Sequence, residues 1–182
     1  PKGCKRQIKN NLKKIEDIMG QSYGSTTNPL LVSVRSGAKK SMPGMMETVL
    51  NVGLTSSTIV GLIDKTKNKR FSYDSYRRLI MMYSDVVMDK TSQSEINIRS
   101  ILENVLSQYK KKRLIKNDSS LNENDLITLC DKFQEIINKK IKKKFPNNHI
   151  KQLEGSIEAV FKSWNGKRAI EYRKIEKIPN TW

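Results

Sequence analysis

An α+β chain in which helices predominate is the fold class this sequence predicts, and three observations carry it. Leu30, Leu31, Val32 and Val34 make one short β-branched-rich run, long enough for a strand and too short for a helix. From residue 55 onward apolar side chains recur at helical spacing in segment after segment, which predicts a body of five or six helices. With 182 residues the chain has room for one core, yet aliphatic, aromatic and cysteine residues make up only 36%, low for a self-sufficient globule. A single strand cannot form a sheet, so either further strands lie among the residues or they lie beyond them.

Taken in order, residues 5–19 carry Ile8, Leu12, Ile15, Ile18 and Met19 at helical spacing, and Gly20 closes that helix. Residues 21–29, rich in Ser, Thr, Gly and Asn, read as a loop into the strand, which is expected to be buried. Arg35 stands at its end. Gly37, Pro43 and Gly44 then break regular structure, and Gly44 permits a positive φ or a close backbone approach. A guanidinium at a strand end, followed by a loop with free backbone N–H groups, suits a phosphate-bearing ligand. Residues 45–53 fit neither period cleanly and read as a strand or an irregular extended piece.

Helices are predicted over 57–65 and 71–88, the second with Tyr73, Tyr76, Leu79, Ile80, Tyr83, Val86 and Val87 on one face, interrupted by Arg77 and Arg78. Packing explains that aromatic stripe better than a ligand box does. A further helix is predicted over 92–112. Residues 113–121 have turn composition, and Asn122 with Asp125 reads as a capping box opening a helix that Pro146 ends. The last helices are placed at 148–164 and 167–177, the latter stopped by Pro179.

The charge of +17 invites a nucleic-acid partner, but it is spread as +6, +6 and +5 over residues 1–60, 61–122 and 123–182. The two densest runs, 110–113 and 139–144, fall at predicted helix ends, where cations complement the dipole. No aromatic interleaving accompanies them, so a basic nucleic-acid-binding or docking module is the lesser alternative. Cys4 and Cys130 are isolated from each other and from the single His149, which argues against metal, redox and triad chemistry; His149 is expected at the surface or at a helix start. No apolar run approaches the ~20 residues of a membrane span. The opening residues carry neither an initiator Met nor an apolar signal segment and look like an internal cut.

Five blocks carry a resemblance: LLVSVRSGA (30–38), SMPGMMETVLNVGL (41–54), RFSYDSYRRL (70–79), YSDVVM (83–88) and AVFKSWNGKRAI (159–170). In order and spacing they resemble the pyruvate phosphate dikinase family, across nearly the whole chain; phosphoenolpyruvate synthases share the Val-Arg-Ser element and look less like the second block. The resemblance implies part of an incomplete ATP-grasp-like nucleotide-binding domain, with 1–54 and 147–182 in its body and 55–146 as an inserted helical subdomain. It implies a phosphotransferase as the parent protein: ATP, phosphate and pyruvate interconverted with AMP, pyrophosphate and phosphoenolpyruvate through a phosphohistidine, with Mg2+. By motif position Arg35, Ser41, Gly44 and Met45 match ATP- or phosphate-binding positions, and Arg78 and Ser36 do so less securely. Lys39 and Lys40 depart from the family pattern. The carrier histidine, the metal-binding acidic strands, an N-terminal lysine segment and the pyruvate-binding barrel have no counterpart here, so no catalytic or metal-binding residue is expected. Mg-ATP is expected to bind these residues weakly or not at all. The remaining expectations are a partner phosphohistidine domain of the same chain, a homodimeric parent held through other regions, and a cytoplasmic or organellar location.

Overall fold

The computed structural model describes residues 2–89 and 96–179. Helix α1 (Lys2–Met19) leads to two minimal strands, β1 (Ser22–Tyr23) and β2 (Pro29–Leu30), paired in parallel. Strands β3 (Val32–Arg35) and β4 (Thr48–Val52) form an antiparallel ribbon whose register brackets a 12-residue loop, with Val34 opposite Val49 and Arg35 opposite Thr48. Helices α2 (Thr58–Thr66), α3 (Lys69–Tyr83), α4 (Ile98–Lys112), α5 (Glu123–Ile141), α6 (His149–Ser163) and α7 (Lys167–Ile175) follow. The result is a predominantly helical α+β chain, as the spacing predicted.

The strand expectation needs correcting in two ways. The run at 30–35 is two strands, because Leu30 pairs back onto Tyr23 while Val32 turns to meet Val52. Its partner is β4, inside the stretch that fitted neither period, and a register shift between Val32 and Val34 accounts for that irregular pattern. The expected burial is also only partial. Val32 and Val34 are half-buried beneath α6, whereas Ser33 and Arg35 are exposed on the opposite face.

The buried side of this ribbon joins one continuous core. Val49 and Val52 pack with Leu54, Leu79, Ile80, Phe145 and Ala159, and the cluster runs on through Leu102, Leu129, Phe133 and Ile137. Tyr76 and Tyr83 meet the Phe145 ring edge-on at 6.2 and 5.5 Å, so the aromatic stripe is core. At the seam between ribbon and helices, fully buried Gln152 accepts the Gly53 N–H (3.0 Å) and donates to the carbonyls of Leu54 (2.8 Å) and Pro146 (2.9 Å).

Other boundaries move for local reasons. Asn68 caps α3 by accepting the Phe71 N–H at 2.8 Å, so the helix starts earlier than expected. The predicted helix over 71–88 continues beyond Tyr83 as a π-helical turn, Ser84–Asp89, which brings two aspartates to the start of α4: Asp89 accepts the Ile98 N–H at 2.9 Å, and Asp85 lies 3.5 Å from Arg99. The expected start at Ser92 falls outside the described residues; α4 begins under the Asn97 cap. The Asn122–Asp125 capping box on α5 is present in both directions. Asn148, rather than His149, caps α6, and the half-buried His149 ring packs edge-on to Tyr23 at 5.3 Å.

Two predicted apolar faces are less covered than their periodicity suggests. On α1, Ile8 and Leu12 pack on the core, while Ile18 is 82% exposed; on α6, Leu153 and Val160 are buried and Phe161 is 68% exposed. No described helix is long and apolar enough to cross a membrane.

Candidate functional site

The β3–β4 ribbon and its loop enclose a cleft of about 630 Å³, lined entirely from residues 33–50. Strand alternation decides what faces it. Ser33 and Arg35 from β3 and Thr48 and Leu50 from β4 project to the face away from α6 and so into the cleft. Arg35 is exposed there, and no carboxylate among the described residues pairs with it. Its planar fork of N–H donors is therefore available to an anion.

The loop completes the wall. Ser36 Oγ accepts the Ala38 N–H at 3.2 Å, a short side-chain turn immediately after the arginine. Met42 is buried and its carbonyl accepts the Met45 N–H at 3.1 Å; this turn runs through Gly44 at φ +71°. Open space surrounds the position a Gly44 side chain would take, so the left-handed backbone is what calls for glycine here. Ser36, Ser41 and Gly44 all line the cleft with Arg35, whereas Met45 faces the opposite way, into a hollow of about 310 Å³ against Ala159, Ser163 and Arg168. A turn reverses the direction of consecutive side chains, and the motif spacing alone does not reveal that.

Contacts remote in sequence hold the loop in place. The Glu47 N–H donates to Ser163 Oγ at 3.1 Å, and the Glu47 carboxylate takes Arg168 at 3.2 Å, fastening the base of the loop to the α6–α7 turn. Lys40 pairs with Glu176 at 3.1 Å, and Lys39 lines the cleft. Ser33, Glu47 and Thr48 are lining residues that sequence reasoning did not single out. The i, i+2 alternation with Arg35 would have indicated Ser33; the Glu47–Arg168 tie spans 121 positions and leaves no local signal.

Arg78 lies outside this cleft. It lines a second hollow of about 430 Å³ together with Arg77, Arg99, Leu50 and Asn51, and Leu50 forms the rim shared by both. One turn beyond Arg78, Met82 Sδ accepts the Leu50 N–H at 3.2 Å, which fixes α3 alongside β4. The Arg78 Nε–H donates to Asp74 Oδ2 at 2.8 Å, and burial, which raises a carboxyl pKa, is outweighed at Asp74 by hydrogen bonds from Arg77 and Arg78, so its pKa lies below the usual carboxylate value.

The basic runs are dispersed. Lys110 is bound to Asp118 at 2.6 Å and Arg113 to Asp125 at 3.3 Å, while Lys139 and Lys140 sit in the last turn of α5. They do not add to the cleft.

A family model described as pyruvate phosphate dikinase, AMP/ATP-binding domain, matches residues 2–181. The chain belongs to this pyruvate phosphate dikinase nucleotide-binding family. It is 43% identical over 169 residues to the pyruvate, phosphate dikinase of Clostridium symbiosum, covering 92% of this chain and 18% of that protein. Against the enzymes of Giardia intestinalis and Rhizobium meliloti the identities are 43% over 178 residues and 39% over 182 residues. The chain thus spans about a fifth of the pyruvate phosphate dikinases it matches, 19% and 20% in these two cases. In this chain the loop that carries the motif lines the cleft, and the matching family model is described as an AMP/ATP-binding domain.

Proposed function

We propose that residues 33–50 form the triphosphate-facing wall of an ATP site in a phosphotransferase of the pyruvate phosphate dikinase type. The observation that carries the reading is Arg35: a guanidinium at a strand end, exposed into a 630 Å³ cleft and without a described carboxylate partner. Ser36, Ser41 and the Gly44 turn supply hydroxyls and backbone N–H groups around it. Met45 belongs to this site only as the residue that anchors the far side of the turn.

In this reading Arg35 contacts the phosphate oxygens whose charge rises as a phosphoryl group leaves, and its planar fork, fixed at the end of β3, costs less reorganisation than a mobile ammonium. The Glu47–Arg168 and Lys40–Glu176 ties keep the loop open around the anion. Arg78, across the Leu50 rim, is a second anion-facing cation. Magnesium does not fit this wall. Glu47 is the one carboxylate among the lining residues and is already engaged by Arg168, so the metal's ligands belong to the rest of the parent protein.

The parent reaction interconverts ATP, phosphate and pyruvate with AMP, pyrophosphate and phosphoenolpyruvate through a phosphohistidine carried on another domain. Residues 1–54 and 147–182 are assigned to an ATP-grasp-like body and 55–146 to its helical insertion. The apolar groove of about 640 Å³ between α1, β3 and α6, with Phe161 and Ile8 in its walls, supports that reading, since further strands of such a body would cover it. The chloroplastic relatives of Zea mays and Arabidopsis thaliana are consistent with a cytosolic or organellar enzyme.

Affinity for Mg-ATP should be weak, on the order of millimolar, because opposing groups are missing from this wall. Arg35→Ala should lower it roughly 10-fold or more, and Arg35→Lys should recover only part of the loss. Calorimetry or fluorescence titration reads this directly; tight binding untouched by Arg35→Ala would remove Arg35 from the site.

A further inference from the structure

Asp74 lies at the centre of a cluster of charges that the cleft itself does not explain. Its Oδ1 accepts from both Nε and Nη2 of Arg77, at 3.0 and 2.7 Å, and its Oδ2 accepts from Nε of Arg78 at 2.8 Å. The two arginines are adjacent in sequence and opposite in setting: the Arg77 side chain is 3% exposed, that of Arg78 62%. Arg77 is further held by Asp118 at 3.3 Å, which in turn binds Lys110 at 2.6 Å, and its Nη1 lies 3.4 Å from Met81 Sδ. The buried arginine is thereby locked, and it locks the carboxylate.

A locked carboxylate restricts its other partner. With Nε tied to Oδ2, the Arg78 guanidinium loses rotamer freedom, while both of its terminal nitrogens remain without a partner among the described residues. Arg78 lines the hollow that shares Leu50 with the Arg35 cleft. The Met82–Leu50 contact one turn on keeps α3 at a fixed distance from β4. If Asp74 served stability alone, pairing with Arg77 would suffice; dividing its two oxygens between a buried and an exposed arginine aims the exposed one.

We infer that Asp74 is a positioning residue, anchored by buried Arg77, that presents the terminal nitrogens of Arg78 to a phosphate or pyrophosphate group at the Leu50 rim. This rests on the triphosphate-wall reading of the neighbouring cleft.

Charge and geometry make opposite predictions, which renders the inference testable. Replacing Asp74 by a neutral residue removes a negative charge beside the anion, and on Coulomb grounds alone that tightens anion binding. Loss of aim weakens it. The experiment is a pyrophosphate titration of the 182-residue chain, following the arginine Nε–Hε resonances, in the wild type, Asp74→Asn, Asp74→Glu, Arg78→Ala, Arg35→Ala and the Asp74→Asn/Arg78→Ala double variant. The expected results are an exchange-protected Arg78 Nε–H that shifts with pyrophosphate, and affinity reduced roughly 3- to 10-fold by Asp74→Asn. Asp74→Glu should restore part of that loss, and Asp74→Asn should have no further effect once Arg78 is alanine.

Unchanged or tighter binding in Asp74→Asn, or an equal loss in the Arg78→Ala background, overturns the inference while a sensitive Arg35→Ala variant leaves the wall reading standing. A wild-type chain with no saturable response overturns both. Should Asp74→Asn fail to fold, the wild-type resonance decides: an Arg78 Nε–H that exchanges at the free-solvent rate, or is indifferent to pyrophosphate, contradicts the inference.

Discussion

Arg35 and Cys130 show how residues of exposed and buried character divide the chemistry of this chain. Arg35 projects from an alternating strand into open space, and a sequence reader finds it because a lone charged residue ends an apolar run. Cys130 is buried among Tyr73, Tyr76 and Arg77, and burial pushes its thiol pKa up to about 12. A thiol-specific reagent at neutral pH should therefore label half-buried Cys4 well before Cys130; equal rates would mean that α5 opens readily. Asp74 supplies the pH dependence. Its carboxyl pKa is below the unfolded value, so the stability it contributes is complete above about pH 5 and lost as pH falls through the lower folded value. Asp74→Asn should flatten the stability profile below about pH 4, measured by urea unfolding across pH. At this scale Gly44 and Arg35 were legible because one turn and one strand end determine them. Met45 was not, because its direction depends on the hydrogen bond across residues 42–45.

Among the elements, the helices declared themselves and the strands did not. The capping box of α5 is written in four consecutive residues, and the stripes on α3 and α5 repeat often enough to be unmistakable. Strand β4 is five residues long, carries a register irregularity and owes its existence to the partner strand β3, whose paired residues lie 13 to 20 positions earlier, which no local pattern encodes. The π turn after Tyr83, which carries two aspartates to the start of α4, is similarly invisible, because their partners lie on another element. The ribbon meets the helices through Gln152, whose amide closes three hydrogen bonds in a fully buried setting. Gln152→Ala should cost about 2–5 kcal/mol in chemical denaturation, since it leaves the Gly53 N–H and two carbonyls without partners. A loss below about 1 kcal/mol would mean that water replaces the amide at no penalty.

For the whole molecule, one core connects the ribbon to the helical body, and the excess positive charge is distributed over its surface. A generic DNA duplex should show weak association that salt abolishes without defining a stoichiometric site, whereas nucleotide binding at the proposed site should involve one cleft. The family follows from the match over residues 2–181; the proposed nucleotide role of the cleft rests on its geometry. The most direct test is a Mg-ATP titration followed by amide and arginine side-chain NMR shifts, in the wild type and in Arg35→Ala. Saturable shifts confined to residues 33–50 and the Arg78 guanidinium, and largely lost in Arg35→Ala, are the predicted result. Shifts centred on residues 110–113 or 139–144, or a wild-type pattern preserved in Arg35→Ala, would contradict it.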